Sequence, residues 1–167
     1  LAFYDSDGVS TYYNIGTSSV FRDPAAWYHV VFVFDSANAT AANRNLLYIN
    51  GLNVSLSANS SLNDASSFNA SGYEHDIGGS QTSPGLWALL DGYQAEVNFI
   101  DGQALAPTAF GTFNSYGVWQ PITYGGSYGT NGFYLPFTSN TASYAGYFGG
   151  SGYSIVTTAT QIIPATG

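Results

Sequence analysis

Asn50-Gly51 limits what this chain can become more than any other pair of residues. It sits inside Leu46-Leu47-Tyr48-Ile49-Asn50-Gly51-Leu52-Asn53-Val54, between two β-prone apolar runs. Asn-Gly is the preferred pair for a two-residue type I′ turn, because both central positions need positive φ. Such a turn fixes the register of the hairpin. Ile49 must face Leu52 and Leu47 must face Val54, with these four on one face and Asn53 and Ser55 on the other. Turn chemistry and apolar pattern agree, so an antiparallel hairpin is expected here.

The segment before it reads as a strand over Trp27 to Phe34. Trp27, His29, Val31 and Val33 share one face; Tyr28, Val30, Phe32 and Phe34 share the other. Both faces are apolar, so both should be covered, one by the core and one by further protein. Helix signals are scarce, and aromatic residues make up 17% of the chain, a β-favouring bias. The expected class is all-β.

The remaining segments fit that class. A hairpin is expected over Leu1 to Tyr13, turning at Asp5-Ser6-Asp7-Gly8. Asp35 to Asn45 and Ala58 to Gly72 read as polar loops, Tyr73 to Gly78 as a short strand, and Gly79 to Gly85 as a loop. Tyr93 to Ile100 alternates, with Tyr93, Ala95, Val97 and Phe99 inward and Asp101-Gly102 as its turn. Pro107 to Phe110 is expected to make one helical turn. From Tyr116 onward Tyr and Gly dominate, and no Asp or Glu follows Gly102. The chain is expected to divide into a sandwich core over 1–113 and a Tyr/Gly-rich segment over 114–167 that docks on the core or on a neighbouring subunit.

Composition narrows the partners. Only 7% of the 167 residues are charged, and the formal charge is −8 with just two Lys or Arg. Phosphate backbones and anionic membranes are recognised by clustered cations, so neither nucleic acid nor a membrane is an expected partner. Without Cys there is no thiolate metal site and no disulfide. The absence of Met, with Leu1 at the start, suggests a processed product or part of a longer polypeptide. Sequons begin at Asn38, Asn53, Asn59 and Asn69, as is common by chance in an Asn/Ser-rich chain.

Two segments also carry a resemblance. Trp27, His29 and Val30, then a loop, then Leu47, Tyr48, Ile49, Asn50 and Gly51, resemble the paired signature of concanavalin A-like, laminin-G-like domains. Asp91, Gly92, Glu96, Val97, Phe99, Asp101 and Gly102 resemble a second signature of the same family, in the same order. The resemblance implies an antiparallel jelly-roll β-sandwich lacking the usual opening strands, with edges left for strand addition. The run Ala95 to Leu105, AEVNFIDGQAL, followed by Phe110 to Pro121 and Ser127 to Phe137, is similar to the laminin-G-like domains of tailed-phage virion proteins. That similarity implies a non-enzymatic protein at the virion surface or otherwise extracellular, of decoration or tail-fibre type. Its partners would be other virion subunits, including copies of itself. A carbohydrate-binding adhesin is the alternative, and a glycoside hydrolase the least favoured.

Candidate sites follow from residue chemistry. Trp87 and Trp119 are expected in Gly/Pro-flanked loops and are candidates for stacking on sugars, weighed against core or interface packing. Tyr28, Phe32, Phe34, Tyr124, Tyr128 and Tyr147 are candidate interface residues. Asp5, Asp7 and Asp35 are weak calcium candidates, since calcium takes roughly six to eight oxygens and later acidic ligands are missing. No other cofactor is expected. Glu74 and Asp76 share a strand face like the paired carboxylates of the family's glucanases, but Gly79 stands where the third carboxylate would be, and His75 points the other way. His29, on an apolar strand without a nearby acid or nucleophile, reads as a hydrogen-bonded core histidine. Glu96 is assigned a structural hydrogen bond, and Asp91 the ordering of its own turn.

Overall fold

A computed structural model describes residues 1–6, 11–23, 25–64, 77–78, 80–82, 85–87, 90 and 92–137. Among the described residues the regular structure is strand, broken by two short 3-10 turns, and every strand pair is antiparallel. The all-β expectation is met. The chain divides into two compact units, Leu1–Ser67 with Gln103–Ser127 and Phe68–Gly102 with Tyr128–Gly167.

In the first unit, β1 (Ala2–Ser6) and β2 (Thr11–Gly16) form the expected hairpin, with Phe3 opposite Ile15. Asp5 is buried within β1, so the turn begins later than Asp5-Ser6-Asp7-Gly8 suggested. Next comes a three-stranded sheet in the order β3 (Val30–Phe34), β4 (Asn45–Ile49), β5 (Leu52–Val54). The β4–β5 register is the one the Asn-Gly turn demands: Ile49 faces Leu52 and Leu47 faces Val54. Asn50 and Gly51 have φ of 50° and 78°, as a type I′ turn requires.

Both faces of this sheet are covered. Val31 and Val33 are buried on one, Leu47 and Ile49 on the other. The β1–β2 hairpin meets the second face, where the Phe3 ring stacks on Phe32 at 4.1 Å and lies 6.4 Å from Phe34. A backbone bond from Ser57 N to Gly16 O (2.9 Å) and a bridge between Thr17 and Leu56 stitch the hairpin to the strand leaving the sheet. Packing here is incomplete: an apolar recess of about 130 Å³ remains between Phe3, Ile15, Val30, Phe32, Leu47 and Leu56.

Strand β3 is shorter than the expected Trp27 to Phe34, because β4 ends at the Asn50-Gly51 turn and, among the described residues, no strand continues alongside Trp27. Trp27 is 67% exposed. Two loops are also more structured than expected. Ala41–Asn43 forms a 3-10 turn and Asn45 already belongs to β4. Ser60, in a segment expected to be exposed, is buried because Asn45 Oδ1 accepts from both its N–H (2.6 Å) and its hydroxyl (2.5 Å). Arg44 ties the same loops together by donating to the carbonyls of Asn38 (2.8 Å), Ser60 (3.1 Å) and Ala39 (3.3 Å).

The first unit is completed by the expected turn at Pro107–Ala109, then β9 (Gly111–Phe113) and β10 (Trp119–Pro121). These last two strands pair across the boundary expected between residues 113 and 114.

In the second unit, β6 (Ser80–Thr82) pairs with β7 (Gly85–Trp87), and β8 (Val97–Phe99) pairs with β11 (Phe133–Leu135). The first pair replaces the loop expected over Gly79 to Gly85; its strands are short and carry no apolar alternation to announce them. Strand β8 is only the end of the expected Tyr93 to Ile100. Glu96 takes φ of 56°, in the left-handed region, so the extended backbone starts after it, and Tyr93 and Ala95 are exposed rather than inward. The expected strand over Tyr73 to Gly78 lies mostly outside the described residues.

Candidate functional site: the Trp119 clasp

Sequence-distant residues of the first unit converge on Trp119. Its indole N–H donates to Nδ1 of His29 at 3.0 Å, across ninety positions of chain. The indole also lies against two glycines. A Cβ placed on Gly51 would come within 2.3 Å of ring atom Cε3, and one on Gly111 within 2.2 Å of Cζ2. Phe113 meets the ring edge-on at 4.9 Å. Trp119 faces Phe113 directly across β9–β10, and Gly111 is its diagonal neighbour, so the bare Gly111 backbone is covered by the ring.

Asn50 holds the other side of the clasp. Its N–H donates to the His29 carbonyl (2.8 Å), and its side-chain Oδ1 accepts the His29 N–H (2.8 Å). A single residue thus makes the turn with its backbone and extends the β3–β4 ladder by one step with its side chain. The hydrogen bonding expected of His29 is present, but the residue is half-buried just before β3 and not in the core. An indole N–H can only donate, so Nδ1 must carry a lone pair and the ring is neutral with its proton on Nε2. Burial works in the same direction, lowering the His29 pKa by desolvating the charged form.

Beyond the clasp the β9–β10 hairpin projects a closed loop. Asn114 and Val118 bond through Asn114 N and Val118 O (2.9 Å), and Gly117 N donates to Asn114 O (3.0 Å). The Asn114 side chain accepts from the N–H of Tyr116 (2.9 Å) and of Val118 (3.0 Å). Gly117 supplies the positive φ, 75°, that lets the loop close. The result is a fixed loop that presents Tyr116 at 89% exposure, flanked by Val118 at 57% and Phe113 at 47%. No charged side chain occurs between Gly102 and the end of the sequence.

The residues singled out from sequence scatter around this arrangement. Trp119 belongs to the clasp and lies on a strand, not in a loop. Trp87 ends β7. Tyr28 meets Phe21 edge-on at 5.3 Å, and Phe32 and Phe34 face Phe3. Tyr124 packs on Phe110 at 5.0 Å and donates to Ser127 O (2.9 Å). Tyr128, in the second unit, donates to Asn98 Oδ1 (2.8 Å). Tyr147, Asp7, Glu74, His75, Asp76, Asp91 and Gly79 lie outside the described residues.

Of the calcium candidates, Asp5 lies buried in β1 and Asp35 accepts from Asn38 Nδ2 (3.2 Å). Among the described residues no three His, Cys, Asp or Glu gather around a point that would hold a metal ion. Glu96 accepts from the Tyr134 hydroxyl, which fits the structural role expected of it. Tyr116, Asn114, Arg44 and the Asn45–Ser60 pair were not singled out from sequence. The usable signal for the first two was Asn-Ser-Tyr-Gly between two short apolar runs, a turn motif with an aromatic at its tip.

No protein-family model, curated protein or solved structure matches this chain.

Proposed function

We propose that this chain is a non-enzymatic assembly and attachment module that works through contact surfaces, built on a jelly-roll sandwich of laminin-G-like type and carried on a virion surface. The observation that carries the reading is the β9–β10 hairpin. It is uncharged, held by internal hydrogen bonds, and exposes Tyr116 at its tip, with Phe113 on the Trp119 face of the hairpin and Val118 on the other. Exposed apolar side chains on a fixed backbone favour association, because little conformational entropy is lost when they dock. Tyr is well suited to such contacts, having large area and only two rotatable side-chain bonds. The virion assignment rests on the sequence resemblance, and a second copy of the chain is the simplest partner.

Light scattering after size exclusion tests the contact reading. Concentration-dependent dimers or higher oligomers are expected, reduced by Tyr116→Ser. A monomer at all concentrations counts against it.

The second reading, a glycan-binding adhesin, draws on the same exposed Tyr116, whose ring offers a stacking face for a sugar. Trp119 is a poor candidate for that role, because its N–H is used by His29 and its ring lies against Gly51, Gly111 and Phe113. A glycan array probed with the intact chain and with Tyr116→Ser separates the two readings. Retained oligomers with no glycan signal favour assembly.

A further inference from the structure

We propose that the His29–Trp119 bond is an acid-released latch, in which a proton on His29 Nδ1 frees the β9–β10 hairpin from the Asn50-Gly51 turn. The latch stands on its own geometry; that it would regulate assembly rests on the contact reading above.

The geometry leaves one protonation state compatible with docking. At 3.0 Å the indole N–H needs an acceptor, and a proton on Nδ1 would set two donors against each other. A small rotation of the ring does not relieve this, because Gly51 and Gly111 already approach the indole closer than any side chain would allow. Among the described residues, the groups bonded to His29 are Asn50 on the β4–β5 turn and Trp119 on β10, and neither titrates. Tyr28, its titratable neighbour in the chain, packs on Phe21. None of these partners offers a carboxylate to the imidazolium, so charging His29 is a net loss to the docked state.

Burial moves His29 the same way, holding its pKa below the ordinary 6.5. The opened hairpin, with His29 in water, therefore binds the proton more readily than the docked one. Docking is fully supported above pH 6.5 and loses support as pH falls through the lower, docked-state value.

The test follows the three indole N–H resonances of the intact chain from about pH 8 to about pH 5, the range over which an imidazole charges. Trp119→Phe identifies the Trp119 signal. That signal is expected to move with a midpoint below 6.5. Amides of residues 111–120 should exchange faster in acid, after correction for intrinsic rates, by about tenfold for each unit by which the midpoint is depressed. His29→Gln, whose amide oxygen accepts the indole N–H without titrating, should abolish both responses.

A Trp119 signal that does not respond to pH overturns the latch, and so does an unchanged response in His29→Gln. If that variant does not fold, the imidazole Cε1 signal of the natural chain decides. A midpoint at or above 6.5 overturns the proposal, and a lower one coinciding with the Trp119 shift sustains it. Mass measured in the same samples keeps the two readings apart. A titrating latch with a strictly monomeric chain upholds the latch and sinks the contact reading.

Discussion

The β4–β5 and β9–β10 hairpins are both organised by an asparagine, yet they use it in opposite ways. Asn50 takes positive φ itself, at 50°, and spends its side chain on another strand, at His29. Asn114 keeps its side chain for its own loop, accepting from Tyr116 and Val118, and leaves the positive φ to Gly117. The first hairpin is anchored outward and buries Leu47 and Ile49. The second is closed on itself and holds its apolar tip in solvent. A loop that satisfies its own backbone can expose aromatics without losing shape, whereas a two-residue turn gains definition by being built into a sheet. Trp119 joins the two, covering Gly51 of one and Gly111 of the other.

If this division between core hairpin and surface hairpin is right, the largest effect comes from the core side. Leu47→Ala removes a buried side chain beside a recess that is already present, and should lower unfolding free energy by about 3 kcal/mol in urea titrations. A loss under about 1 kcal/mol would mean that β4–β5 is not a core element. Gly51→Ala should follow, at about 2 kcal/mol, because a Cβ at φ of 78° is strained and meets the Trp119 ring at 2.3 Å. It should also displace the Trp119 indole resonance, a change that Leu47→Ala need not produce. Asn114→Ala comes third, at about 1 kcal/mol, since its orphaned N–H groups lie in an exposed loop where water replaces part of the bond. Its distinctive result is faster amide exchange confined to residues 111–120.

The two hairpins also differ in how far the sequence disclosed them. Asn50-Gly51 was legible down to its register, because the demand for positive φ is local and the apolar alternation on both sides must agree with it. The contact of Trp119 with His29 was not, because nothing local records a partner ninety residues away. Its trace is a Trp diagonal to a Gly across a short hairpin, which is visible only once β9 and β10 are paired. Arg44 escaped notice for another reason: its partners are backbone carbonyls, and side-chain patterns do not show those. Glu96 misled, because a strand that alternates in sequence was cut by a left-handed residue of a type that seldom takes that conformation. Of the candidate site, the titratable member was identified by its apolar surroundings, while the exposed tip was hidden in a Tyr/Gly-rich tract read only as a whole.

The smallest effect on stability carries the most weight for function. Tyr116 is 89% exposed and only its backbone N–H takes part in the loop, through Asn114. Tyr116→Ala should therefore change unfolding free energy by less than about 0.5 kcal/mol and leave the indole spectrum of the clasp unchanged. Oligomer formation, in contrast, should fall sharply, because a centrally placed aromatic on a rigid loop contributes far more to an interface than to its own fold. The pairing of outcomes is what discriminates. A variant that folds as before and no longer associates assigns the tip to contact. A variant that loses stability shows Tyr116 to be a structural residue whose ring is used within the chain, and the contrast between the two hairpins would then be one of degree. Equal stability with equal association moves the contact surface elsewhere, and Val118 and Phe113 become the residues to change next.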